Sequence, residues 1–355
     1  MDNASAERKA GCLVTGCAGF LGSHLTEALL GLGHRVVGVD SLFAGNWSNM
    51  VAFSAHPNFT FLKTSVTLPR LYAEAQRLVP ELGHVFHLAA IVSQSYATKR
   101  PMETMAVNCI ASLGLFEEAR RLGAFSFVFA GSMAEHGDVE DSREPGAVSD
   151  AAAATPASPA NLSRGLSRLH NSPYGRSKYL VSRHISDAGF GVSLRFCPVY
   201  GPRQDPASPY TGLVSQAMTQ ALHDEIVEVP DDGRLRDFLH VRDAVRACLM
   251  AAGLHEPGAA PATGLYDVGS DAPVDTVTLA RLVLRGAGQP EDDVDVVAGL
   301  DGGLALRVVS GESFRQAVGF SPAVHLEEGV RQSIAWLRDH DPLGLVRPLV
   351  TPKTS

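Results

Sequence analysis

The sequence predicts an α/β protein in which helices cover both faces of a parallel sheet and a smaller second lobe follows. Over the first 196 residues, short apolar runs alternate with longer segments whose apolar residues recur at helical spacing. This alternation is typical of a doubly wound parallel sheet. Later segments are shorter and richer in proline. We therefore expect a sheet domain over 1–196 and mainly a second lobe over 197–355, with part of 232–255 returning to the first domain.

The alternating elements can be placed in order along the chain. The predicted strands are 12–15, 34–40, 59–62, 84–90, 126–132 and 191–196, and the predicted helices are 22–32, 68–79, 103–122 and 174–188. Near the end of the chain, a stripe at helical spacing predicts a helix packed on a core, formed by Leu326, Val330, Ile334 and Leu337. The segment from Asp138 to Ser172 has no apolar period. We expect a long loop there, which is either a surface excursion or a lid over the site.

Composition and charge exclude several classes of protein. No stretch approaches the ~18 apolar residues of a membrane span, and the N-terminal segment lacks the apolar core of a signal peptide. The five cysteines are scattered and contain no CxxC pair, which argues against a disulfide framework and a zinc site. The net charge of -8 argues against a nucleic-acid binder. We expect a cytoplasmic protein without a metal.

Three glycines between the first strand and the first helix predict a dinucleotide site. Gly16, Gly19 and Gly22 permit a tight turn, a close approach of the backbone to a pyrophosphate and close packing of helix on strand. The helix N-terminus supplies N–H groups and a positive dipole to the phosphates. Asp40 ends the second predicted strand, where its carboxylate can accept from a ribose hydroxyl and repel a 2′-phosphate. The pattern predicts a Rossmann fold that binds NAD rather than NADP.

A second group of residues predicts oxidation and reduction of an alcohol. Tyr174 and Lys178 are four residues apart at the start of a predicted helix, so their side chains share one face. Ser132 ends a predicted strand, at the edge of the sheet where ligands bind. A phenol is a poor base near neutral pH, but an ammonium group and a nicotinamide cation both favour the phenolate. Tyr174 can then take a hydroxyl proton while hydride leaves the same carbon.

The motifs together resemble the extended short-chain dehydrogenase/reductase family. The resemblance rests on TGCAGFLG (15–22), HLAA (87–90), Ser132 before Gly137, YGRSK (174–178), LRFCPVYGPRQDPASPY (194–210), DGRLRDFLHVRDAV (232–245), YDVGS (266–270) and GFSPAVHLEEGVRQSIAWL (319–337). Their order and spacing are similar to those of nucleotide-sugar 4-epimerases of the UDP-galactose 4-epimerase type. The resemblance covers about residues 12–340.

The resemblance implies roles for individual residues. It assigns NAD binding to Gly16, Gly19, Phe20, Leu21, Gly22, Asp40, Ser65, Val66, Leu88, Ala89, Ala90, Tyr174 and Lys178. It assigns catalysis to Ser132, Tyr174 and Lys178, and substrate binding to Ser93, Cys197, Arg203, Gln204, Tyr210 and Arg236. Arg236 matches an arginine that meets the substrate diphosphate, a role that suits the guanidinium fork. It also implies a homodimer.

Several positions depart from the family pattern. Cys197 stands where these epimerases usually carry Asn, and a thiol is a weak donor. His136 takes the place of a usual Tyr, Gly131 that of a serine, and Ser65 that of an adenine-binding Asp. The loop before Tyr174 is longer than usual. These departures favour an unusual substrate.

The resemblance implies an isomerase, an NAD-dependent nucleotide-sugar epimerase acting through a transient 4-keto sugar. The related 4,6-dehydratases carry an acidic pair where this chain has Met133 and Ala134, and a decarboxylase needs a glutamate at the second of these positions. Both activities are therefore disfavoured. A net dehydrogenase or reductase using the same residues remains an alternative. A non-catalytic NAD-binding protein is disfavoured because Tyr174 and Lys178 are both present.

Overall fold

A seven-stranded parallel sheet forms the centre of the molecule. The computed structural model describes residues 10–136, 172–205, 212–223, 225–300 and 310–340. The strands are β1 (Gly11–Thr15), β2 (Val36–Asp40), β3 (Phe59–Lys63), β4 (Leu82–His87), β5 (Ser126–Ser132), β6 (Val192–Phe196), β7 (Val199–Tyr200), β8 (Val227–Pro230), β9 (Leu239–His240), β10 (Gly264–Val268) and β11 (Val294–Val297). The order across the main sheet is β10-β6-β5-β4-β1-β2-β3.

Helices cover both faces of the sheet. They are α1 (Phe20–Gly31), α2 (Leu71–Leu78), α3 (Gln94–Lys99), α4 (Pro101–Met105), α5 (Ser112–Arg121), α6 (Pro173–Asp187), α7 (Leu213–Leu222), α8 (Val241–Ala251), α9 (Thr276–Ala287), α10 (Glu312–Val318) and α11 (Leu326–His340). Strands β1, β2 and β4 are buried throughout, as expected for parallel strands with helices on both faces. The predicted doubly wound α/β fold is confirmed. Within the described part of the chain, no helix combines the length and apolar character needed to cross a bilayer.

The order in which the chain adds strands to the sheet reverses between β1 and β4. From β1 the chain proceeds outward through β2 and β3, and then returns to place β4 on the other side of β1. Ligands of open α/β sheets bind at the carboxyl ends of the strands at such a reversal. The main chain ties these two strand ends together, because Leu88 N–H donates to the Thr15 carbonyl at 3.2 Å.

A second core lies beside the main sheet. The short pair β8 and β11 packs with α7, α9 and α11 around buried apolar side chains, which include Val214, Met218, Val227, Leu279, Val283, Val330 and Ile334. The predicted stripe near the end of the chain thus lies on α11 and faces this core. Strand β10 returns to the main sheet by pairing with β6. The division at residue 196 stays a prediction.

Most predicted elements lie within a few residues of the observed ones. The helix expected over 103–122 differs, because a π-helical segment at Ala106–Ala111 separates α4 from α5. Apolar spacing does not reveal this change in helix type. The long loop expected over 138–172 lies outside the described residues except for Ser172, which precedes α6.

Candidate active site

The turn between β1 and α1 is shaped by its glycines. Gly16 has a φ of +77°, and a Cβ there would lie 2.9 Å from the main-chain nitrogen of Ala89. Close packing of the two strand ends therefore requires glycine at this position. A Cβ at Gly19 would meet only the Gly16 carbonyl oxygen, at 3.1 Å. Among the described residues, no other atom outside the adjoining main chain lies within 4 Å of that Cβ position, which suits the approach of a phosphate group.

The N-terminus of α1 fits a pyrophosphate. Gly19 is the N-cap residue, no side chain caps the helix, and no acidic residue lies in its first turn. The first N–H groups of a helix have no partner within the helix and carry the positive end of its dipole. Phe20, Leu21 and Gly22 supply these groups here. The donor set is the one expected for an anion.

Asp40 lies beside this turn at the end of β2. Its Oδ2 accepts from Ala18 N–H at 3.0 Å and its Oδ1 from Leu42 N–H at 2.8 Å. The side chain is buried, and this burial raises the pKa of the carboxyl, whereas the two hydrogen bonds lower it. A carboxylate in this position fits a ribose with a free 2′-hydroxyl and disfavours a 2′-phosphate.

The remaining residues predicted to bind NAD follow the neighbouring strands. Ser65 and Val66 follow β3, and the Ser65 hydroxyl accepts from Thr67 Oγ1 at 2.8 Å. Leu88, Ala89 and Ala90 follow β4, and Ala89 N–H donates to Thr15 Oγ1 at 3.2 Å. The fold thus brings the predicted NAD residues other than Tyr174 and Lys178 to the carboxyl ends of β1 to β4.

The three predicted catalytic residues come together at the end of β5. Pro173 is the first residue of α6, and Ser172 caps this helix by accepting from Gly175 N–H at 3.1 Å. Tyr174 is therefore held in the first turn, where its hydroxyl interacts with the Ser132 side chain. Lys178 lies one turn further along, is 2% exposed, and donates from Nζ to the Ala130 carbonyl at 2.7 Å.

Burial changes the acidity of both titratable groups. It raises the pKa of the Tyr174 phenol to about 12, an effect opposed by the hydrogen bond to Ser132. It lowers the pKa of the Lys178 ammonium to about 8, with Nζ 4.5 Å from the centre of the Phe129 ring. Without ligands, Tyr174 is thus a phenol near neutral pH. A positive charge near its oxygen is needed to make it a base.

The residues predicted to bind substrate are more dispersed. Ser93 caps α3 by accepting from Tyr96 N–H at 3.0 Å. Cys197 is 5% exposed and belongs to the main core, with its thiol directed to the Pro198 carbonyl. Burial raises the pKa of this thiol well above its usual value.

Of the four other residues predicted to bind substrate, three lie within the described part of the chain. Arg203 forms an ion pair with Glu27 of α1. Gln204 accepts from Ser215 Oγ at 2.6 Å. Arg236 forms an ion pair with Asp232 through both guanidinium Nη atoms. Tyr210 lies outside the described residues.

Glu135 is the main polar residue near the site that sequence reasoning missed. It lies in a short 3₁₀ turn, Met133–His136, directly after β5. Its carboxylate is buried and accepts from Ser132 N–H at 2.9 Å. The neighbouring departure, His136, is hydrogen-bonded through Nε2 to Asp267 at 3.0 Å. The unusual glycine at 131 is a sequence signal that could have pointed to Glu135, because it indicates a crowded position.

Buried polar residues beneath the strand ends were also missed. His87 lies between two hydroxyls, with Thr15 Oγ1 2.7 Å from Nδ1 and Ser112 Oγ 2.7 Å from Nε2. Burial lowers the pKa of this imidazole to about 3, so it is neutral. In the π-helical segment, Asn108 bonds both polar groups of the Ile91 main chain and reaches Ser177 of α6 at 3.3 Å. These contacts fix the elements that carry the site.

Comparison with known proteins agrees with this geometry. The model of the NAD dependent epimerase/dehydratase family matches residues 12–269. A UDP-glucose 4-epimerase of Mycolicibacterium smegmatis is 29% identical over 330 residues, covering 92% of this chain and 98% of the relative. A dTDP-glucose 4,6-dehydratase of Streptomyces griseus is 28% identical over 343 residues, covering 92% and 94%.

Solved structures show the same relationship. The UDP-glucose 4-epimerase of Thermus thermophilus in complex with NAD is 29% identical, with a TM-score of 0.74 over 93% of this chain and 99% of the other. The Thermotoga maritima enzyme with UDP-glucose is 27% identical, with a TM-score of 0.74 and the same coverage. The resemblance drawn from the sequence motifs is confirmed: the chain belongs to the NAD-dependent epimerase/dehydratase family, the extended short-chain dehydrogenases/reductases that act on nucleotide sugars.

Proposed function

We propose that this protein is an NAD-dependent nucleotide-sugar 4-epimerase, acting on UDP-glucose, UDP-galactose or a related nucleotide sugar. The observation that carries the proposal is the chemistry of the turn after β5. It presents Ser132 to Tyr174, while the next two residues, Met133 and Ala134, are apolar and 2% and 3% exposed. The site thus has groups for proton transfer at one hydroxyl and lacks an acidic pair directly after Ser132.

In the proposed mechanism, Tyr174 takes the proton of the sugar C4 hydroxyl. Lys178 supplies the positive charge that favours the phenolate, and Ser132 holds the sugar oxygen by a hydrogen bond. When bound by the glycine turn and Asp40, NAD would supply a reversible hydride acceptor for C4. After the 4-keto sugar has turned over, Tyr174 returns the proton to the same oxygen. The reaction consumes no net reductant or oxidant.

The same turn after β5 favours epimerisation over dehydration. Loss of water from the sugar needs a further acid and base beside Ser132. Glu135 is the acidic residue of this turn, but its Oε1 is bonded to Ser132 N–H and to Ser182 Oγ. Its Oε1 is therefore occupied by hydrogen bonds within the protein, and the side chain is only 4% exposed. A net dehydrogenase or reductase would use the same three residues, and it differs by consuming one equivalent of cofactor per product.

The predicted binding residues remain part of the proposal. Arg236 is proposed to bind the substrate diphosphate. Its side chain is 6% exposed, and the Asp232 carboxylate holds the guanidinium in place. We also propose the roles assigned above to the NAD residues and to Ser93, Cys197, Arg203, Gln204 and Tyr210. All five cysteines are free and buried, which supports a reducing, cytoplasmic location.

Incubation with nucleotide sugars tests the proposed activity. The purified protein is supplied with UDP-, dTDP-, GDP- and CDP-sugars without added cofactor, and products are separated by chromatography and assigned by NMR. We expect one sugar to convert to its C4 epimer until a fixed ratio is reached from either side. Conversion that begins only with added NAD or NADH, and that changes the cofactor in step with product, would contradict the proposal and indicate a dehydrogenase or reductase.

We propose that the protein is a homodimer, and mutation of an exposed apolar residue tests this. Three large apolar side chains lie exposed on neighbouring helical segments of the sheet domain: Met102 (80%), Ile110 (67%) and Leu180 (47%). The control is Val296→Glu, at an exposed apolar residue of the second lobe. Light scattering should give twice the chain mass for the native protein and for this control. Ile110→Glu should give the monomer mass. A native monomer at all concentrations would refute the dimer.

A further inference from the structure

Glu135 places a buried carboxylate directly beneath the catalytic residues. The side chain is 4% exposed. Its Oε1 accepts two hydrogen bonds, from Ser132 N–H at 2.9 Å and from Ser182 Oγ of α6 at 3.0 Å. Within the described part of the chain, the buried Oε2 has no hydrogen-bond partner. A half-bonded buried carboxylate is costly, so its presence calls for a role besides stability.

The surrounding residues leave room for this carboxylate. A Cβ at Gly131 would lie 2.8 Å from Glu135 Oε1 and 2.7 Å from Ser193 Oγ. The Ser193 hydroxyl is in turn 2.7 Å from Ser182 Oγ. The departure from serine at 131 is therefore explained, because any side chain there would displace the carboxylate or the two hydroxyls. Gly131, Glu135, Ser182 and Ser193 form one packed unit.

Charged and titratable groups face Glu135 from each neighbouring element. Arg195 of β6 is positive and also forms an ion pair with Asp267 of β10, with 2.6 Å between Nε and Oδ1. His136 adjoins it in the 3₁₀ turn. From α6, Tyr174 and Lys178 both interact electrostatically with Glu135. The carboxylate thus lies between a structural arginine and the catalytic pair.

We propose that Glu135 is a positioning residue of this active site: its carboxylate fixes the Ser132 main chain to α6, and its negative charge controls the protonation of Tyr174 and Lys178. The tests that measure catalysis rest on the proposed function, whereas the test that measures the Lys178 pKa does not. The Ser132 amide and the Ser182 hydroxyl meet on one oxygen, so the end of β5 and the middle of α6 share this anchor.

The direction of the charge effect follows from electrostatics. A negative charge stabilises the ammonium form of Lys178 and opposes the phenolate form of Tyr174, so it raises the pKa of both groups. Burial raises the pKa of Glu135 itself, whereas the Arg195 charge and the hydrogen bond from Ser132 lower it. Removing the charge should lower the pKa of Lys178 and of Tyr174 together.

The first test measures Lys178 directly and needs no substrate. The chain has five lysines, and Lys178→Met assigns the Lys178 signal in a side-chain NMR titration. Glu135→Gln keeps the shape and an acceptor oxygen while it removes the charge. We expect the pKa of Lys178 to fall from about 8 by about one unit. Glu81→Gln, at the opposite end of the sheet, should not change it. An unchanged pKa in Glu135→Gln overturns the charge role.

The second test separates charge from position by activity. With the substrate identified above, Glu135→Gln should shift both limbs of the pH profile of kcat to lower pH and keep kcat at the optimum within about threefold. Glu135→Ala, which also removes the anchor, should lower the optimal kcat about tenfold or more. Equal optimal kcat values in the native and Glu135→Ala proteins would refute the positioning role. A lower Lys178 pKa without any nucleotide-sugar conversion would leave this inference standing and reject the proposed function.

A further variant covers the case in which Glu135→Gln does not fold. Glu135→Asp keeps the charge and shortens the reach to Ser132. It should leave the pKa of Lys178 near 8 and lower the optimal kcat. A native kcat in this variant would contradict the proposal, because the anchor to Ser132 would then be dispensable.

Discussion

Replacing Tyr174 by phenylalanine is expected to abolish measurable epimerisation while the fold and the bound NAD persist. The change removes one oxygen atom and keeps the ring in the first turn of α6. The lost hydroxyl is the group that interacts with the Ser132 side chain. Loss of a positioned proton-transfer group lowers the rate by ~10²–10⁴-fold. The measurement is kcat with the identified sugar, together with NAD released on denaturation.

A neighbouring tyrosine supplies the control for this prediction. Tyr179 also lies on α6, one residue beyond Lys178. Tyr179→Phe makes the same chemical change on the same helix and should retain native kcat. If Tyr174→Phe keeps more than a tenth of the native rate, Tyr174 is not the base. The proposed roles of Ser132 and Lys178 would then also be wrong, because both residues are proposed to act together with Tyr174. If Tyr174→Phe also loses NAD, the hydroxyl is needed for the NAD binding proposed for Tyr174.

The parts of the site that could be predicted depend on local sequence. Gly16, Gly19 and Gly22 lie within seven residues, and Tyr174 and Lys178 lie one helical turn apart. Each pattern determines the relative positions of its residues, because a strand end or a helix turn fixes where neighbouring side chains point. The alternation of apolar runs then places these segments at one edge of the sheet. The sequence therefore predicts both the fold and the location of the site.

The parts that could not be predicted depend on contacts between distant segments. Glu135 binds Ser182 across 47 residues, and His136 binds Asp267 across 131. Neither pairing has a spacing rule, so the chain order does not reveal these two contacts. The π-helical segment was missed for a related reason. Its Asn108 is fixed by Ile91 and Ser177, which come from different elements.

The substrate residues show a third kind of limit. A motif can place a residue near a ligand without fixing the direction of its side chain. Cys197 follows β6 as expected, but its thiol is buried in the main core. Arg236 is at the expected position, but it is also bonded to Asp232, which lies four residues earlier in a segment that is not helical. The partner of a charged group is therefore the harder part to predict.

Replacing Gly22 by alanine is expected to destabilise the protein strongly and to release NAD. A Cβ at this position would collide with the carbonyl oxygen of Gly16 and lie 2.7 Å from its carbonyl carbon and 3.1 Å from Cys17 Cα. These are main-chain atoms, so relief requires the turn or α1 to move. Forcing a methyl group into a packed site costs roughly 1–3 kcal/mol and can cost more. The measurement is denaturant unfolding, with bound NAD determined on the same sample.

The same helix provides the matched control. Gly31 is the last residue of α1, and a Cβ there would meet no atom within 4 Å. Gly31→Ala adds the same methyl group, and the better helix propensity of alanine makes it neutral or stabilising by up to about 1 kcal/mol. Equal stability of the two variants would show that α1 does not need to pack so closely on the turn. That packing is what places the N-terminus of α1 at the phosphates. The proposed geometry of the NAD site at this helix end would then also be wrong.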